Sequence, residues 1–276
     1  MKKTMIGYQV YSAREDAAKD LLGTLKAVKA MGYDGVEFAG FYGHTAEEVK
    51  AMLDEAGLVA ISHHVPFAAM REDIDKVIRD NKTIGCKYIA IPFLDEETRP
   101  GSAGFASVIR DVYRFGRKMK DAGIQLLYHN HDFEFVTLSG QFGLDFLYDA
   151  VPECLLKTEL DVCWVKYAGE DPAAYIRKYA GRCPVVHLKD FIGVKKEGAV
   201  LYALIQADGS DDVKVETEQE PDFDFRPVGY GKQDIPGIIK AGLESGAQWF
   251  IVEQDRSTER PALEAAKMSC DYVRGL

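Results

Sequence analysis

One phrase recurs along this chain and limits what it can fold into: an amphipathic helix, a glycine, a few residues, then an apolar strand whose far end turns polar. Leu21, Leu22, Leu25, Val28 and Met31 follow helical spacing, Gly32 stops that helix, and Gly35-Val36-Glu37-Phe38 begins a strand. Thr45 with Glu48 makes a capping box. Val49, Met52 and Leu53 give its helix an apolar face, Gly57 ends it, and Val59-Ala60-Ile61-Ser62-His63-His64 follows. Ile74, Val77, Ile78 and Ile84 lead to Gly85 and the strand Tyr88-Ile89-Ala90-Ile91-Pro92-Phe93. A helix from about Ser107 ends at Gly123 and opens onto Leu126-Leu127-Tyr128-His129-Asn130-His131-Asp132-Phe133-Glu134-Phe135.

The second half repeats the plan. A helix near 142–151 precedes a strand at 155–162, and Asp171-Pro172 starts a helix that Gly181 ends. A strand over 184–190, a helix over 235–244, a strand over 249–255 and a helix over 261–273 follow. With a first strand at 5–11, the pattern predicts eight strands alternating with eight helices. Glycine past a helix end accepts the left-handed conformation needed there, so its recurrence marks one unit used repeatedly. Alternating strands and helices imply a parallel sheet, and this many units predict a closed (β/α)8 TIM barrel, a single domain over 1–276. An open doubly wound sheet would want a Gly-rich phosphate loop after the first strand, which Gly7-Tyr8-Gln9-Val10-Tyr11 does not supply.

The rhythm breaks at 191–226, a long, mostly polar connection after the seventh strand, acidic from Glu216 to Asp224. Within it, 199–207 is a short run suited to a strand or helix. Connections of this length commonly act as lids or binding loops, which places this one at the barrel mouth. In a homo-oligomer it would close a neighbour's site.

At 276 residues and 47% apolar, the chain can fill a barrel core. A net charge of -10 argues against nucleic acid, where phosphate neutralisation requires a basic face, and against an anionic membrane surface. No stretch approaches the roughly 20 apolar residues of a membrane span. Met1-Lys2-Lys3-Thr4 gives way to a strand too soon for a secretory signal. Five cysteines, Cys86, Cys154, Cys163, Cys183 and Cys270, lack paired spacing, which fits buried thiols in a reducing, cytoplasmic setting.

In a barrel of this kind the active site lies at the C-terminal ends of the strands. The polar residues there are Glu37, His63, His64, His129, His131, Glu134, Glu159, Asp161, His187, Lys189, Glu253 and Asp255. Of the six histidines only His44 falls in a loop. Residues two apart on a strand share a face, so Glu159 pairs with Asp161, His187 with Lys189 and Glu253 with Asp255. Buried carboxylates without cations are expensive, and a converging set of acids and imidazoles with open positions suits a divalent ion better than a closed structural zinc site. Simpler readings stand beside this one. Glu37 reads first as a solvated rim residue and Cys163 and Trp164 as core, Asp190 and Asp255 read also as caps of loops or following helices, and Lys189 reads equally as a salt-bridge partner.

The phrases Gly35-Val36-Glu37-Phe38-Ala39-Gly40, His129-Asn130-His131-Asp132-Phe133-Glu134-Phe135, Glu159-Leu160-Asp161-Val162-Cys163-Trp164-Val165, Val186-His187-Leu188-Lys189-Asp190 and Ile251-Val252-Glu253-Gln254-Asp255 resemble the sugar phosphate isomerase/epimerase family. That family sits in the xylose isomerase-like barrel superfamily with tagatose 3-epimerase, inosose dehydratase and endonuclease IV. The resemblance spans essentially the whole chain. It implies one divalent ion, Mn²⁺ first, with Mg²⁺, Co²⁺, Fe²⁺ or Zn²⁺ as alternatives. The ligands it implies are Glu134, Asp161, His187 and Glu253. In the epimerase branch the fifth-strand Glu lies at the strand end. Here Glu134 comes after His129-Asn130-His131, and His129 and His131 stand as substitute ligands.

The chemistry implied is proton abstraction next to a sugar carbonyl, with the ion stabilising the charge on oxygen. An imidazole is a ready base near neutrality. His131 is the first candidate, with His129 and the carboxylates Glu134 and Glu253 as rivals. Glu37, His64, Lys189 and Arg256 are candidate substrate contacts. The expected activity is that of a sugar isomerase or epimerase. The alternative is a lyase or dehydratase acting on a 3-keto sugar, 3-keto glycoside or inosose, which the His-Asn-His variant resembles. A sugar-binding protein without activity is the non-enzyme alternative. A repair endonuclease would need more histidines and a basic groove. A phosphate on the substrate would meet Gly229-Tyr230-Gly231-Lys232 or Arg256, but the glycine segment reads first as a plain turn before a helix, and the acidic balance favours a neutral sugar.

Overall fold

The computed structural model describes residues 4–194 and 223–276. Eight parallel strands close a barrel: β1 (Ile6–Gln9), β2 (Gly35–Ala39), β3 (Val59–His64), β4 (Tyr88–Ile91), β5 (Gln125–His129), β6 (Lys157–Asp161), β7 (Val185–Leu188) and β8 (Trp249–Val252). Each strand pairs with its sequence neighbours, and β1 closes the ring against β8 through Ile6–Phe250, Gly7–Ile251 and Tyr8–Val252. The barrel helices are α1 (Leu21–Met31), α2 (Ala46–Ala56), α3 (Phe67–Ile84), α4 (Phe105–Asp121), α5 (Gly143–Ala150), α6 (Pro172–Lys178), α7 (Ile235–Glu244) and α8 (Ala262–Arg274). The capping box forms as expected: the Glu48 amide donates to Thr45 Oγ1 and the Thr45 amide to Glu48 Oε2. Two further short helices follow β1 and β6, over Arg14–Lys19 and Val162–Tyr167. No described helix is long and apolar enough to cross a membrane.

The main core lies between strands and helices. Inside the barrel, Ile61, Tyr88, Ala90, Leu127, Val185 and Ile251 plug the lower half. Gly7 and Gly35 make room for that plug, because a Cβ at Gly7 would lie 2.4 Å from Ile61 Cδ1 and one at Gly35 would lie 2.7 Å from the Val59 carbonyl. The upper half is polar. Alternation carries Leu127 to His129, Val185 to His187 and Ile251 to Glu253 up the inner face. On β3 the alternation is broken: Val36 pairs with Ala60 but Glu37 with Ser62, a bulge at Ile61. A bulge re-aims the side chains that follow it. Ile61 therefore faces the plug while Ser62 and His64 both reach the polar interior, and His63 turns out towards the helices.

The connection after β7 begins and ends in an antiparallel ribbon, Asp190–Gly193 against Phe223–Arg226. The sequence pattern marks no such pairing. The segment 199–207 lies outside the described residues. Phe191, Phe223 and Phe225 of the ribbon join Cys163, Trp164 and Tyr167 in a small apolar cluster.

Candidate active site

Four buried side chains from the last four strands present ligand atoms within 4.8 Å of one another: His129, Asp161, His187 and Glu253. Asp161 is placed twice over. Its Oδ1 caps the short helix 162–167, accepting from the amides of Cys163 at 2.8 Å and Trp164 at 3.2 Å. Its buried Oδ2 makes no hydrogen bond among the described residues, with the Lys189 ammonium 3.1 Å away off hydrogen-bond geometry. Lys189 Nζ also lies 2.9 Å from Glu253 Oε2 and 2.9 Å from Asp255 Oδ1, so one ammonium faces three carboxylates. His187 Nδ1 lies 2.9 Å from Glu253 Oε2. Two imidazoles and two carboxylates, with one buried carboxylate oxygen unsatisfied, form a donor set that fits a divalent ion.

Glu134 is not among these four side chains. It sits in a turn of 3-10 helix over Phe133–Phe135, and both its oxygens are engaged: the Tyr128 hydroxyl donates to Oε1 at 2.6 Å and the His131 amide to Oε2 at 2.8 Å. Those bonds hold the carboxyl behind the strand-five tip. Of the two expected substitutes, His129 is the strand-five group that the structure brings to Asp161, His187 and Glu253, and His131 is not in that set.

A second layer lies beneath. Glu37 is fully buried, which removes the solvated-rim reading. Gln9 Nε2 donates to its Oε1 at 2.7 Å, and His64 Nε2 and His187 Nε2 approach the same oxygen at 3.0 and 2.7 Å. Glu159 Oε1 lies 2.6 Å from His64 Nε2 and 3.3 Å from both His129 Nδ1 and His187 Nε2. Glu37 and His64, expected to touch substrate, thus lie in the floor because the bulge and the strand register put them one layer down. Neutral His63 takes no part in either layer. Its ring pairs with Asn81 at 3.1 Å and the Gly40 amide at 3.2 Å, and burial pushes its pKa down to about 4.

His131, just past the tip of β5, is clamped between Phe133 and Trp164, with ring centroids 5.6 and 5.3 Å away. Arg99 lies over the Phe133 ring at 4.2 Å from its centroid, and the Lys189 ammonium lies 5.2 Å from that of Trp164. Trp164, read from the sequence as core, is therefore wall as well. Its signal was its position three residues after Asp161, inside the helix that Asp161 caps. Arg256 lies half-buried on the loop after β8, where its carbonyl accepts from Gln254 Nε2 at 2.9 Å.

Charge is distributed unevenly. Burial opposes ionisation at His187, but Glu37 and Glu159 outweigh it and raise the imidazole well above its ordinary range. His64, buried too, is raised to about 10 by the same two carboxylates. His129 and His131 go the opposite way. Burial lowers both, reinforced by His187 at the first and by Lys189 at the second. Burial pushes Asp161 up to about 6 although Lys189 pulls it down. At Glu253 burial is overcome by Lys189 and His187, and the carboxyl is held below the usual range. The site thus offers a neutral imidazole, His131, beside a buried ammonium, Lys189.

The glycine turn has a different use from phosphate binding. Asp190 Oδ2 accepts from the amides of Gly229 at 3.0 Å and Gly231 at 2.9 Å, and Oδ1 from Gln233 at 3.1 Å and Phe191 at 2.9 Å. The protein's own carboxylate fills that nest of amides.

A family model described as xylose isomerase-like TIM barrel matches residues 25–275. The chain belongs to that family. Inosose dehydratase of Clostridium beijerinckii is 29% identical over 58% of this chain, but the match spans only 51% of that protein. Inosose dehydratase of Clostridium perfringens is 23% identical over 88% of the chain and 85% of its own length. Among solved structures, a sugar phosphate isomerase/epimerase of Parabacteroides distasonis superposes with a TM-score of 0.74 at 20% identity, covering 99% of this chain and 94% of that one.

Proposed function

We propose that the protein is a sugar-modifying enzyme that abstracts a proton next to a carbonyl, and that elimination from the resulting enolate is its reaction: a lyase or dehydratase acting on an unphosphorylated keto sugar, keto glycoside or inosose. One observation carries this reading. A neutral imidazole, His131, and a buried ammonium, Lys189, both lie against Trp164, 5.3 and 5.2 Å from its ring centroid. The two groups suit opposite proton transfers.

The ion site would be made by His129, Asp161, His187 and Glu253. A divalent ion there supplies Lewis-acid stabilisation of the charge that builds on the carbonyl oxygen. Two imidazoles among four ligands favour Mn²⁺, Fe²⁺, Co²⁺ or Zn²⁺ over Mg²⁺. His131 takes the proton from the carbon beside the carbonyl, leaving the electron pair in the enolate. The bond from the next carbon to its oxygen substituent then breaks, and Lys189 protonates the departing oxygen. His131 returns the proton and restores the ammonium, so water or an alcohol is the net product. The stack of Phe133 and Trp164 keeps the imidazole from turning away and excludes water from it.

Support for a neutral substrate comes from Asp190, which already uses the amides that a phosphate would need. The curated relatives named inosose dehydratase favour the elimination branch. Isomerisation or epimerisation, expected first from the sequence, shares the initial proton transfer and is the second reading. It is favoured by the name of the Parabacteroides structure.

Proton NMR in ²H₂O on a panel of inososes, 3-keto glycosides and ketoses, with Mn²⁺ present, separates these readings. Loss of water or of an aglycone is the expected result. Deuterium entering the carbon beside the carbonyl without elimination moves the assignment to the isomerase branch. Binding with neither event leaves a sugar-binding protein and ends the enzymatic proposal.

A further inference from the structure

Two imidazoles of the ion site each lie between carboxylates at both ends, close enough for ion pairing, although His129 Nδ1 and His187 Nε2 make no hydrogen bond among the described residues. His129 turns Nε2 towards Asp161 Oδ2 at 3.7 Å and Nδ1 towards Glu159 Oε1 at 3.3 Å. His187 turns Nδ1 to Glu253 Oε2 at 2.9 Å, and Nε2 to Glu37 Oε1 at 2.7 Å and Glu159 Oε1 at 3.3 Å. In both rings one nitrogen faces the upper carboxylates and the other faces the floor. A metal-ligating imidazole almost always gives its far N–H to an acceptor, which sets the tautomer and the ring's orientation, and Glu159 and Glu37 are the carboxylates within reach of these two.

We infer that Glu159 and Glu37 are positioning residues, holding the inner nitrogens of His129 and His187 so that the outer nitrogens face the ion site, with His64 locking the two carboxylates together. The inference rests on the ion site proposed above.

Three features make this more than coincidence. Glu37 and Glu159 are both fully buried, where carboxylates are costly to keep without a task. A single oxygen of Glu159 is hydrogen-bonded to His64 at 2.6 Å and lies 3.3 Å from a nitrogen of both His129 and His187. And the bulge on β3 exists at the point that aims His64 and Ser62 at this carboxylate, the Ser62 hydroxyl lying 3.4 Å from Glu159 Oε2. Without the bulge, His64 would share the outward side of its strand and the two acids would face each other with no lock between them.

The test uses the full chain stripped of metal and titrated with Co²⁺, followed by its visible d–d spectrum and by chelator competition. Wild type is expected to take one ion per chain. Glu159→Gln should bind it about 10–100-fold more weakly, the usual loss when an outer carboxylate is removed, with shifted d–d bands because the His129 and His187 rings are no longer fixed. Glu37→Gln should show the same effect through His187 alone, and serves as the readout if Glu159→Gln does not fold. Unchanged affinity and spectrum in both variants, with binding abolished in Asp161→Asn, would overturn the inference while leaving the ion site intact. Two ions per chain would also overturn it, since the inner nitrogens would then be ligands in a second centre made by His64, His129, Glu159 and His187. No binding by wild type removes the ion-site reading itself.

Discussion

Two clusters of carboxylates lie one above the other in this barrel, and they are neutralised by different means. In the floor, Glu37 and Glu159 face short, ring-shaped donors fixed on other strands of the barrel, His64 above all. In the upper layer, Asp161, Glu253 and Asp255 face the end of one long side chain, Lys189. An imidazole fixed at Cβ and Cγ has little freedom to withdraw, whereas a lysine tip on four methylenes can leave with a change of rotamer. The floor is therefore the more firmly fixed of the two. In the reading proposed above, the upper layer is where the ammonium gives way to an ion or turns to a substrate. His129 and His187 belong to both layers and couple them.

The comparison breaks most completely at Glu253, whose Oε2 serves His187 and Lys189 at once. Glu253→Gln should bring metal content, measured by elemental analysis, and turnover to background. A variant that retains full activity without metal would sink the ion-dependent reading. Next comes His131, stacked between Phe133 and Trp164. His131→Asn should keep metal content and lower turnover by about 10²–10⁴-fold, the range for loss of a general base. Loss of the metal together with activity would move His131 from base to ligand.

Lys189 tests the difference between the layers directly. Removing the ammonium in Lys189→Met leaves three carboxylates facing one another in a buried site, a change of the kind that costs roughly 3–5 kcal/mol. Urea unfolding of the metal-free variant should show that loss, and added Mn²⁺ should recover most of it. Equal stability with and without Mn²⁺ would mean that Lys189 is not standing where the ion's charge belongs.

Much of this was legible in the residue order, for reasons that are local. Helix faces such as Val49, Met52 and Leu53, stops such as Gly57, and caps such as Thr45 with Glu48 are written in neighbouring residues, and the structure builds those elements as read. The rim positions of His129, Asp161, His187 and Glu253 followed from strand ends in the same way. What was illegible depends on register and on distant backbone. A bulge at Ile61 is a property of the β2–β3 pairing, and strict alternation gives no hint that Ile61 and Ser62 both face inward. Glu159 looked like a partner of Asp161 and only its depth in the barrel makes it a support. The use of the Gly229–Gln233 amides was hidden because Asp190 is some forty residues away in sequence, on the far side of the long connection.

The smallest expected effect concerns Glu134, the ligand that the family resemblance implies and the geometry withholds. If it only braces the turn that carries His131, Glu134→Gln should leave Co²⁺ affinity within about twofold of wild type, since it is no ligand and pairs with no ligand nitrogen. Its signature is pH. Burial raises the Glu134 carboxyl from 4.5 to about 8, even though the Tyr128 hydroxyl and the His131 amide pull it down. The folded state thus keeps this proton to higher pH than the unfolded chain does, so wild-type stability should decline as pH rises from about 4.5 to 8. Glutamine cannot titrate, and Glu134→Gln should flatten that part of the curve in urea melts taken across the same range. A variant with weakened Co²⁺ binding and an unaltered stability profile would return Glu134 to the ion, and would take from His129 the place that the barrel now gives it.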